Sequence, residues 1–525
     1  MPLTMKQSAV IDMILQQNNT SDLSVFQPLL EIETKNTIST KGVSGLNEER
    51  SYTIDKRGYD KSMVNIIAQA TGFASTVGVN RQTTIDPGII SGRGYFKQSD
   101  ISEGSVTKSY CMTEALSPFV VTSDDPFRND MTFVQTAKHS TPIENGTPLL
   151  VTTGADSAMP YLSSDMFAHK AKKAGKIIEK NDTYMMIEYK DGTKEFVNLA
   201  EQTMKNSDGG FYITLKLVTD KKVGDLVKEG EVVAWDHKSF SKKVGLQQLS
   251  YNMGCLTKIA VMSNEDGFED SGVCSEWLSY AMNSDIVVMK PIYLPASTNI
   301  LSIAKVGQKV KEGEPVLVFQ DAYDDADANA LLKNLNVDDG DITIIGRNMV
   351  NSKVTGEISD IKFYRTCDFD KMSESLRSLV KNKEAQIQKI KNIASAADND
   401  VQFDSVGKLP MTGKLKNAED QVLIEIYMRY NDHLSVGDKL AALNANKVVL
   451  MNIYPNNDAP YTDFRPTEKI DAMTSASSMD GRIITSIMKN GALNKLLIEL
   501  GRKCCDIYGV KWQDTHEIYE SYKNQ

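Results

Sequence analysis

Lys439 and Lys447 lie eight residues apart in "GDKLAALNANKVVLMNIYP", with small residues between them and an apolar strand after them. An ammonium group is costly to bury unpaired, so two of them beside apolar strands call for an anion, and a phosphate backbone would serve. The plainer reading of the spacing alone is that both reach solvent along their apolar stems. A second group, Glu265, Asp266, Glu269 and Asp270, crowds around Gly267 in "NEDGFEDSG". Carboxylates this close repel one another unless a cation or N–H donors compensate. Magnesium with phosphate is one solution, and a capped turn or helix N-terminus is another. The third group sets Arg128 after Asp124, Asp125 and Pro126 in "SDDPFRNDM". A planar guanidinium suits bidentate phosphate contact; an ion pair with Asp124 or Asp125 is the alternative.

The elements that must position these groups read mainly as strands. Residues 51–160 alternate short strand-like runs with turn residues. Residues 160–240 read as strands bearing a basic patch, "HKAKKAGKIIEK", whose plainer reading is a solvated face. "VGDLVKEGEVVAW" (Val223 to Trp235) and "VGQKVKEGEPVLVF" (Val306 to Phe319) repeat one another, each with Gly at a turn, a charged crest and an apolar strand. That is the pattern of a barrel-sandwich hairpin. A biotinyl or lipoyl carrier also needs an acceptor lysine on an exposed hairpin, and the nearest candidate, Lys290, is followed by Pro291. The acidic stretch 321–341 fails as a calcium loop, because Ala330 stands where the turn needs Gly and Asn336 where a bidentate Glu is required. "VTGEISDIKFYRT" reads as a strand. "KMSESLRSLVKNKEAQIQKIKNIASA" reads as a long solvated helix, with Asp370 as a cap candidate. Strands resume near 421, and the segment from about 481 reads as helical.

The length of 525 residues allows two to four domains, and the composition is that of a globular protein. The net charge of −10 argues against a free-standing nucleic-acid binder, which needs a basic balance, but leaves room for a local basic channel. None of the six cysteines forms a C-x-x-C pair, so zinc knuckles and thioredoxin-like sites are unsupported and reduced thiols are expected. The first residues, "MPLTMKQSAV", carry no apolar run of signal-peptide length, and no apolar stretch reaches membrane-spanning length. A cytoplasmic protein with no membrane partner is the expectation.

In order and identity, the three groups resemble motifs of bacterial RNA polymerase β subunits. There the order is D-D-x-x-R-x-x-M, then G-Y-N-F-E-D, then G-D-K followed by H-G-N-K. Here it is D-D-P-F-R-N-D-M (Asp124 to Met131), E-D-G-F-E-D (Glu265 to Asp270), and G-D-K with A-N-K (Gly437 to Lys447). The paired hairpins resemble those flanking the family's F-E-D segment, and "VTGEISDI" resembles its flap strand. "LLEIETKNTISTKGVSGLNEER" resembles its fork region, and "SSMDGRIITSIMKNGALNKLL" its S-R-M-N-I-G-Q helix. There are departures. The arginine of S-R-M-N is Ser478, with Arg482 one helical turn on as a substitute. The E-T-P-E-G loop reads A-Q-A-T-G (Ala68 to Gly72), and the H-G before N-K is Asn444-Ala445. "CDFDK" (Cys367 to Lys371) is similar to the D-F-D-G-D of the β′-type subunit but lacks its glycine and third aspartate.

The resemblance implies an α+β, β-rich fold: a double-psi β-barrel interrupted by an inserted flap, with barrel-sandwich-type hairpins and C-terminal helices. The implied domains are a fork-region-like module over 1–115 and a first barrel block over 116–285. A flap-like insertion follows over 286–430, then a second barrel block with the lysine pair over 431–490 and a helical segment over 491–525. Lys439 and Lys447 would be the catalytic phosphate-holding residues. Arg128, Lys439 and Arg482 would contact the nucleotide triphosphate. Glu269 and Asp270 would lie near a second, nucleotide-bound magnesium, mostly through water. Phosphoryl transfer asks a protein mainly for positioning and charge stabilisation, which such groups supply. The implied partners are a β′-type chain with the catalytic aspartates, a separate chain with the N-terminal part of β, DNA template, RNA product and nucleoside triphosphates. Split subunits of this kind occur in giant, phiKZ-like bacteriophages, which places the protein in host cytoplasm or the virion. The alternative is a structural or virion protein that keeps the fold without activity.

Overall fold

Glycine sets the hairpins of this chain. In the computed structural model, Gly224, Gly230, Gly307 and Gly313 each take a left-handed φ, between 73° and 100°, at the third position of a four-residue turn. No neighbouring atom crowds any of them, so it is the backbone angle that requires glycine. The structure describes residues 26–42, 45–47, 52–71, 76–91, 95–97, 105–119, 131–132, 140–205, 211–243, 247–262, 265–320, 347–397, 420–442, 446–482 and 485–513. The chain forms two compact units, one from 1–168, 235–284 and 433–525, the other from 169–234 and 285–432. The second unit takes in the whole span expected for the flap-like insertion, 286–430, and adds residues 169–234, which the sequence assigns to the first barrel block. Both glycine-turn repeats fall in it up to Ala234, so the likeness between them joins segments of one body.

The first unit is organised around a five-stranded sheet of β1 (Ile259–Val261), β2 (Ser271–Ser275), β3 (Lys439–Ala442), β4 (Asn446–Tyr454) and β5 (Ala472–Thr474). The strand order is β1-β5-β2-β4-β3. β1 runs parallel to β5 and β2 parallel to β4, while β5–β2 and β4–β3 are antiparallel. Central β2 fits between its neighbours because Gly272 has no side chain: a Cβ there would stand 2.9 Å from Val448 Cγ2 and 3.1 Å from the Met473 carbonyl. β2 leads into the helix Glu276–Ala281, whose N-terminus is capped by Ser275 Oγ accepting the Leu278 N–H at 3.2 Å. Cys274, Trp277, Leu278, Ala281, Leu450 and Ala472 form the core beneath the sheet. Among the described residues no sheet closes on itself, and the five-stranded sheet is open at β1 and β3. Elsewhere in this unit, the helix Pro28–Asn36 leads into a three-stranded sheet of Thr37–Ser39, Asn80–Thr83 and Ile67–Thr71.

The second unit holds a six-stranded sheet in the order 309–310, 356–365, 421–432, 284–295, 212–215 and 202–205, beside four-stranded and three-stranded sheets. The long helix expected after "CDFDK" spans Glu374–Ser395. Its Leu376 and Val380 join Ile358, Val422, Ile424 and Met428 in the core, and its other end packs Ala394 with Tyr184 and Phe196. The cap is Ser373, whose Oγ accepts the Leu376 N–H at 3.2 Å, and not Asp370, which sits in a preceding 3-10 turn. Lys290 lies inside the strand Ser284–Pro295, not on a hairpin tip. The acidic stretch 321–341 lies outside the described residues.

Candidate functional site

The lysine spacing becomes legible in the β3–β4 hairpin. Lys439 pairs with Val449 and Lys447 with Ala441. Side chains alternate along a strand, so both lysines share one face as diagonal neighbours, with backbones about 7–8 Å apart. On the other face Val448 and Leu450 are buried and Leu440 packs against the core. Lys439 is exposed and Lys447 half-buried. The eight-residue interval is thus what a hairpin needs to put two cations side by side above an apolar floor. Snorkelling and anion binding both begin from this arrangement.

The acidic turn before β2 reaches the same sheet. The Asp270 carbonyl accepts the Val449 N–H at 2.9 Å, which seats the turn against the strand carrying Lys447. Phe268 and Ser271 close the turn, the Ser271 hydroxyl donating to the Phe268 carbonyl at 2.7 Å, and Asn452 Nδ2 of β4 donates to Asp266 Oδ2 at 2.9 Å. Glu269, exposed, takes a left-handed φ of 49°. Asp270 Oδ2 accepts from Arg482 Nη2 at 2.5 Å, and its Oδ1 accepts from the Ser478 hydroxyl at 2.8 Å. Burial pushes the Asp270 carboxyl up, but the hydrogen bonds from Arg482 and Ser478 and the charges of Arg482 and Lys447 outweigh it and hold it below the ordinary carboxylate range. Arg482 Nη1 lies 3.3 Å from Ser478 Oγ, so the guanidinium rests over the serine that precedes it by one helical turn.

Asp270, Arg482, Lys447 and Lys439 therefore gather on one sheet and the turn after the short helix Ala476–Asp480 that follows it. Arg128, with Asp124 and Asp125, lies outside the described residues. Glu265 is exposed. The basic patch behaves as a solvated face: Lys172 pairs with Glu195 at 3.1 Å, Lys173 with Asp191 at 2.5 Å, and Lys180 donates to the Lys221 carbonyl at 2.8 Å. Among the described residues no three His, Cys, Asp or Glu side chains are grouped as metal ligands. Both oxygens of Asp270 are engaged by protein donors and Glu269 stands exposed. That pair fits a water-mediated share in a magnesium site whose other ligands come from elsewhere, and does not fit a site complete in itself. Sequence reading took Ser478 only as a lost arginine; its partnership with Asp270 was missed. The i, i+4 spacing of Ser478 and Arg482 links those two residues, but no local pattern points from them to Asp270.

No helix of the described residues is long and apolar enough to cross a membrane. A family model described as RNA polymerase Rpb2, domain 6, matches residues 184–467. That span covers more than half of the chain and includes Glu269, Asp270, Lys439 and Lys447; Ser478 and Arg482 follow it. No curated protein matches the chain.

Proposed function

The chain belongs to the RNA polymerase Rpb2 domain 6 family, and from that premise we propose that its lysine hairpin and Asp270–Arg482 pair form part of an RNA polymerase active centre. Membership makes it a β-type subunit of a multisubunit, DNA-directed RNA polymerase, a nucleotidyltransferase complex, and implies assembly with other subunits such as a β′-type chain. The observation that carries the finer reading is the convergence of Lys439, Lys447, Asp270 and Arg482 on one sheet, from segments far apart in sequence. A strand pair that only needed to fold would gain nothing from two cations held side by side, since like charges repel. A phosphate between them removes that repulsion.

In this reading Lys447 and Lys439 hold phosphates of the RNA 3′ end and of the incoming nucleotide. Arg482 and Arg128 reach the triphosphate. Asp270 keeps the Arg482 guanidinium oriented, and with Glu269 would lie near a nucleotide-bound magnesium, mostly through water. Magnesium, when bound, neutralises and polarises the phosphate oxygens. The double-psi barrel is the architecture that would unite the open five-stranded sheet with its neighbours. DNA template and RNA product are the remaining ligands of the assembled enzyme.

The test is elongation by the complex reconstituted with its β′-type partner. Lys447→Ala should slow nucleotide addition roughly a hundredfold, because one lost phosphate contact in a desolvated site costs a few kcal/mol. Assembly should be intact by gel filtration. A Lys447→Ala complex that assembles and elongates at the wild-type rate would sink the reading.

A further inference from the structure

Five turns in this chain share one hydrogen-bond pattern, and one of them carries Lys439. The turns are Lys222 to Asp225, Lys228 to Glu231, Lys305 to Gln308, Lys311 to Glu314 and Ser435 to Asp438. In each, the fourth residue's N–H donates to the first residue's carbonyl, at 3.0–3.2 Å. In each, the fourth residue's side chain also accepts the first residue's N–H, at 2.8–3.0 Å. The third residue is always a glycine with left-handed φ, 98° at Gly437. Each turn is then pinned across the sheet by two backbone bonds. Gly437 donates to the Leu450 carbonyl, and Leu450 donates to the Asp438 carbonyl, both at 2.8 Å. The other four turns make the same two bonds to Ile177, Ala171, Ile358 and Ser352.

Four of these turns belong to the second unit, whereas Lys439 and Lys447 belong to the first. The clasping side chain there is Asp, Glu or Gln, so the job needs an acceptor oxygen and not a charge. In the fifth turn the next residue is Lys439, which opens β3 opposite Val449. We infer that Asp438 is a positioning residue for Lys439: its carboxylate clasps the turn that fixes where β3 begins, and touches neither phosphate nor metal. The clasp and the two Leu450 bonds set the hairpin register, and the register keeps Lys439 diagonal to Lys447. The inference rests on the proposed role of Lys439 and adds a residue that this role does not itself require.

The experiment measures single-nucleotide addition by the reconstituted complex carrying Asp438→Ala, Asp438→Asn, Lys439→Ala or Asp438→Ala with Lys439→Ala. Asp438→Ala should lower kcat by roughly tenfold or more, since misplacing a catalytic contact by about 1 Å can cost a hundredfold. Asp438→Asn keeps the acceptor oxygen and should stay within about threefold of wild type, as Gln308 does the same work uncharged. The double variant should be no slower than Lys439→Ala alone, because both changes remove one contact; a general loss of fold would add to it. Asp225→Ala, in a turn without the lysine, should leave the rate unchanged. Wild-type speed in Asp438→Ala overturns the inference. So does Asp438→Asn as slow as Lys439→Ala, which would mean that the charge is used; this result does not depend on whether Asp438→Ala assembles. Wild-type speed in Lys439→Ala instead overturns the parent reading.

Discussion

Asp270 and Arg482 are 212 residues apart in sequence and are joined by a 2.5 Å hydrogen bond between Oδ2 and Nη2. The bond ties the acidic turn before β2 to the residues just after the short helix Ala476–Asp480. It also puts a guanidinium beside Ser478, where the resembled motif has its own arginine. A guanidinium is planar and rigid, and its direction is set by whatever carboxylate holds it. Asp270 thus fixes where Arg482 can point, and its other oxygen takes the Ser478 hydroxyl.

Removing Arg482 should therefore release Asp270. In Arg482→Ala the burial that pushes this carboxyl up is opposed by fewer partners, Ser478 and Lys447 remaining. Its titration, read by NMR on the labelled chain, should move upward from below the ordinary carboxylate range. The sign follows from linkage: a depressed carboxyl contributes its stabilising interaction above the ordinary carboxylate range and loses it as pH falls through the folded-state pKa. In the complex, the same variant should raise the apparent KM for nucleotides roughly tenfold with a smaller effect on kcat, as expected for a ground-state triphosphate contact. Arg482→Lys should not restore it, because an ammonium cannot hold Asp270 and reach phosphate with a planar fork. An unchanged titration would show that the pair is not formed in solution.

The purified chain alone should not incorporate nucleotides. The resemblance assigns the principal magnesium ligands to a β′-type chain, and the pair present here, Asp270 and Glu269, is not a complete site. Primer extension with the chain alone, then with its partner added, is the measurement. Incorporation by the chain alone would refute it.

How much of this was legible before the structure depended on the range of the interactions. Lys439 and Lys447 were found by spacing because their relation is local: one hairpin carries both. The long helix Glu374–Ser395 was found because its pattern is also local. Its cap was misassigned to Asp370 because Asp370 and Ser373 are both good capping residues, and only backbone geometry decides between them. The Asp270–Arg482–Ser478 contact was not legible, since no periodicity links residues more than two hundred positions apart. Nor was the grouping of residues 169–234 with the second unit. The repeated turns were visible as two copies. The fifth turn, at Ser435 to Asp438, shares V-G-D with the first repeat and only V-G with the second, and its hydrogen bonds identify it as the same turn.

Leu450 lies under the lysine hairpin and is fully buried. Leu450→Ala should cost about 2–5 kcal/mol, by lost transfer energy and the cavity left behind. It should also slow elongation in the complex, because the Leu450 side chain packs in the core under the strand whose backbone pins Gly437 and Asp438, and a cavity there lets that strand shift. Leu376→Ala, equally buried in the second unit, should lower the melting temperature comparably and leave the elongation rate within about twofold. Calorimetry and elongation on the two variants check this together. Equal slowing in both would show that general destabilisation, not hairpin geometry, sets the rate.

The last prediction concerns pH and a partly buried polar cluster in the first unit. Glu144 Oε1 lies 2.5 Å from Lys238 Nζ, and its Oε2 lies 3.3 Å from His237 Nε2. Burial pushes the Glu144 carboxyl up, but its bond with His237 and the charge and hydrogen bond of Lys238 outweigh burial and hold it down at about 2. The bond to Glu144 raises His237 above its ordinary value against burial, helped by the charge of Asp236. Burial holds Asp236 itself above the ordinary carboxylate range. The signs then differ. Glu144 contributes stability above its ordinary range, lost as pH falls toward about 2. His237, with its folded-state value raised, contributes fully below about 6.5 and loses that contribution as pH rises through the folded-state value. Asp236, also raised, contributes in the histidine's direction: stability present below its ordinary range is lost as pH rises. The full chain should thus melt highest on the acid side of neutrality, between the ordinary glutamate and histidine ranges. His237→Gln should remove the loss on the alkaline side of that window, while Glu144→Gln should flatten the acid side. Melting curves from pH 3 to 9 for the wild type and both variants make the comparison. A wild-type melting temperature that rises steadily through pH 7 and 8, with His237→Gln parallel to it, would mean that the imidazole is not charged in the folded chain.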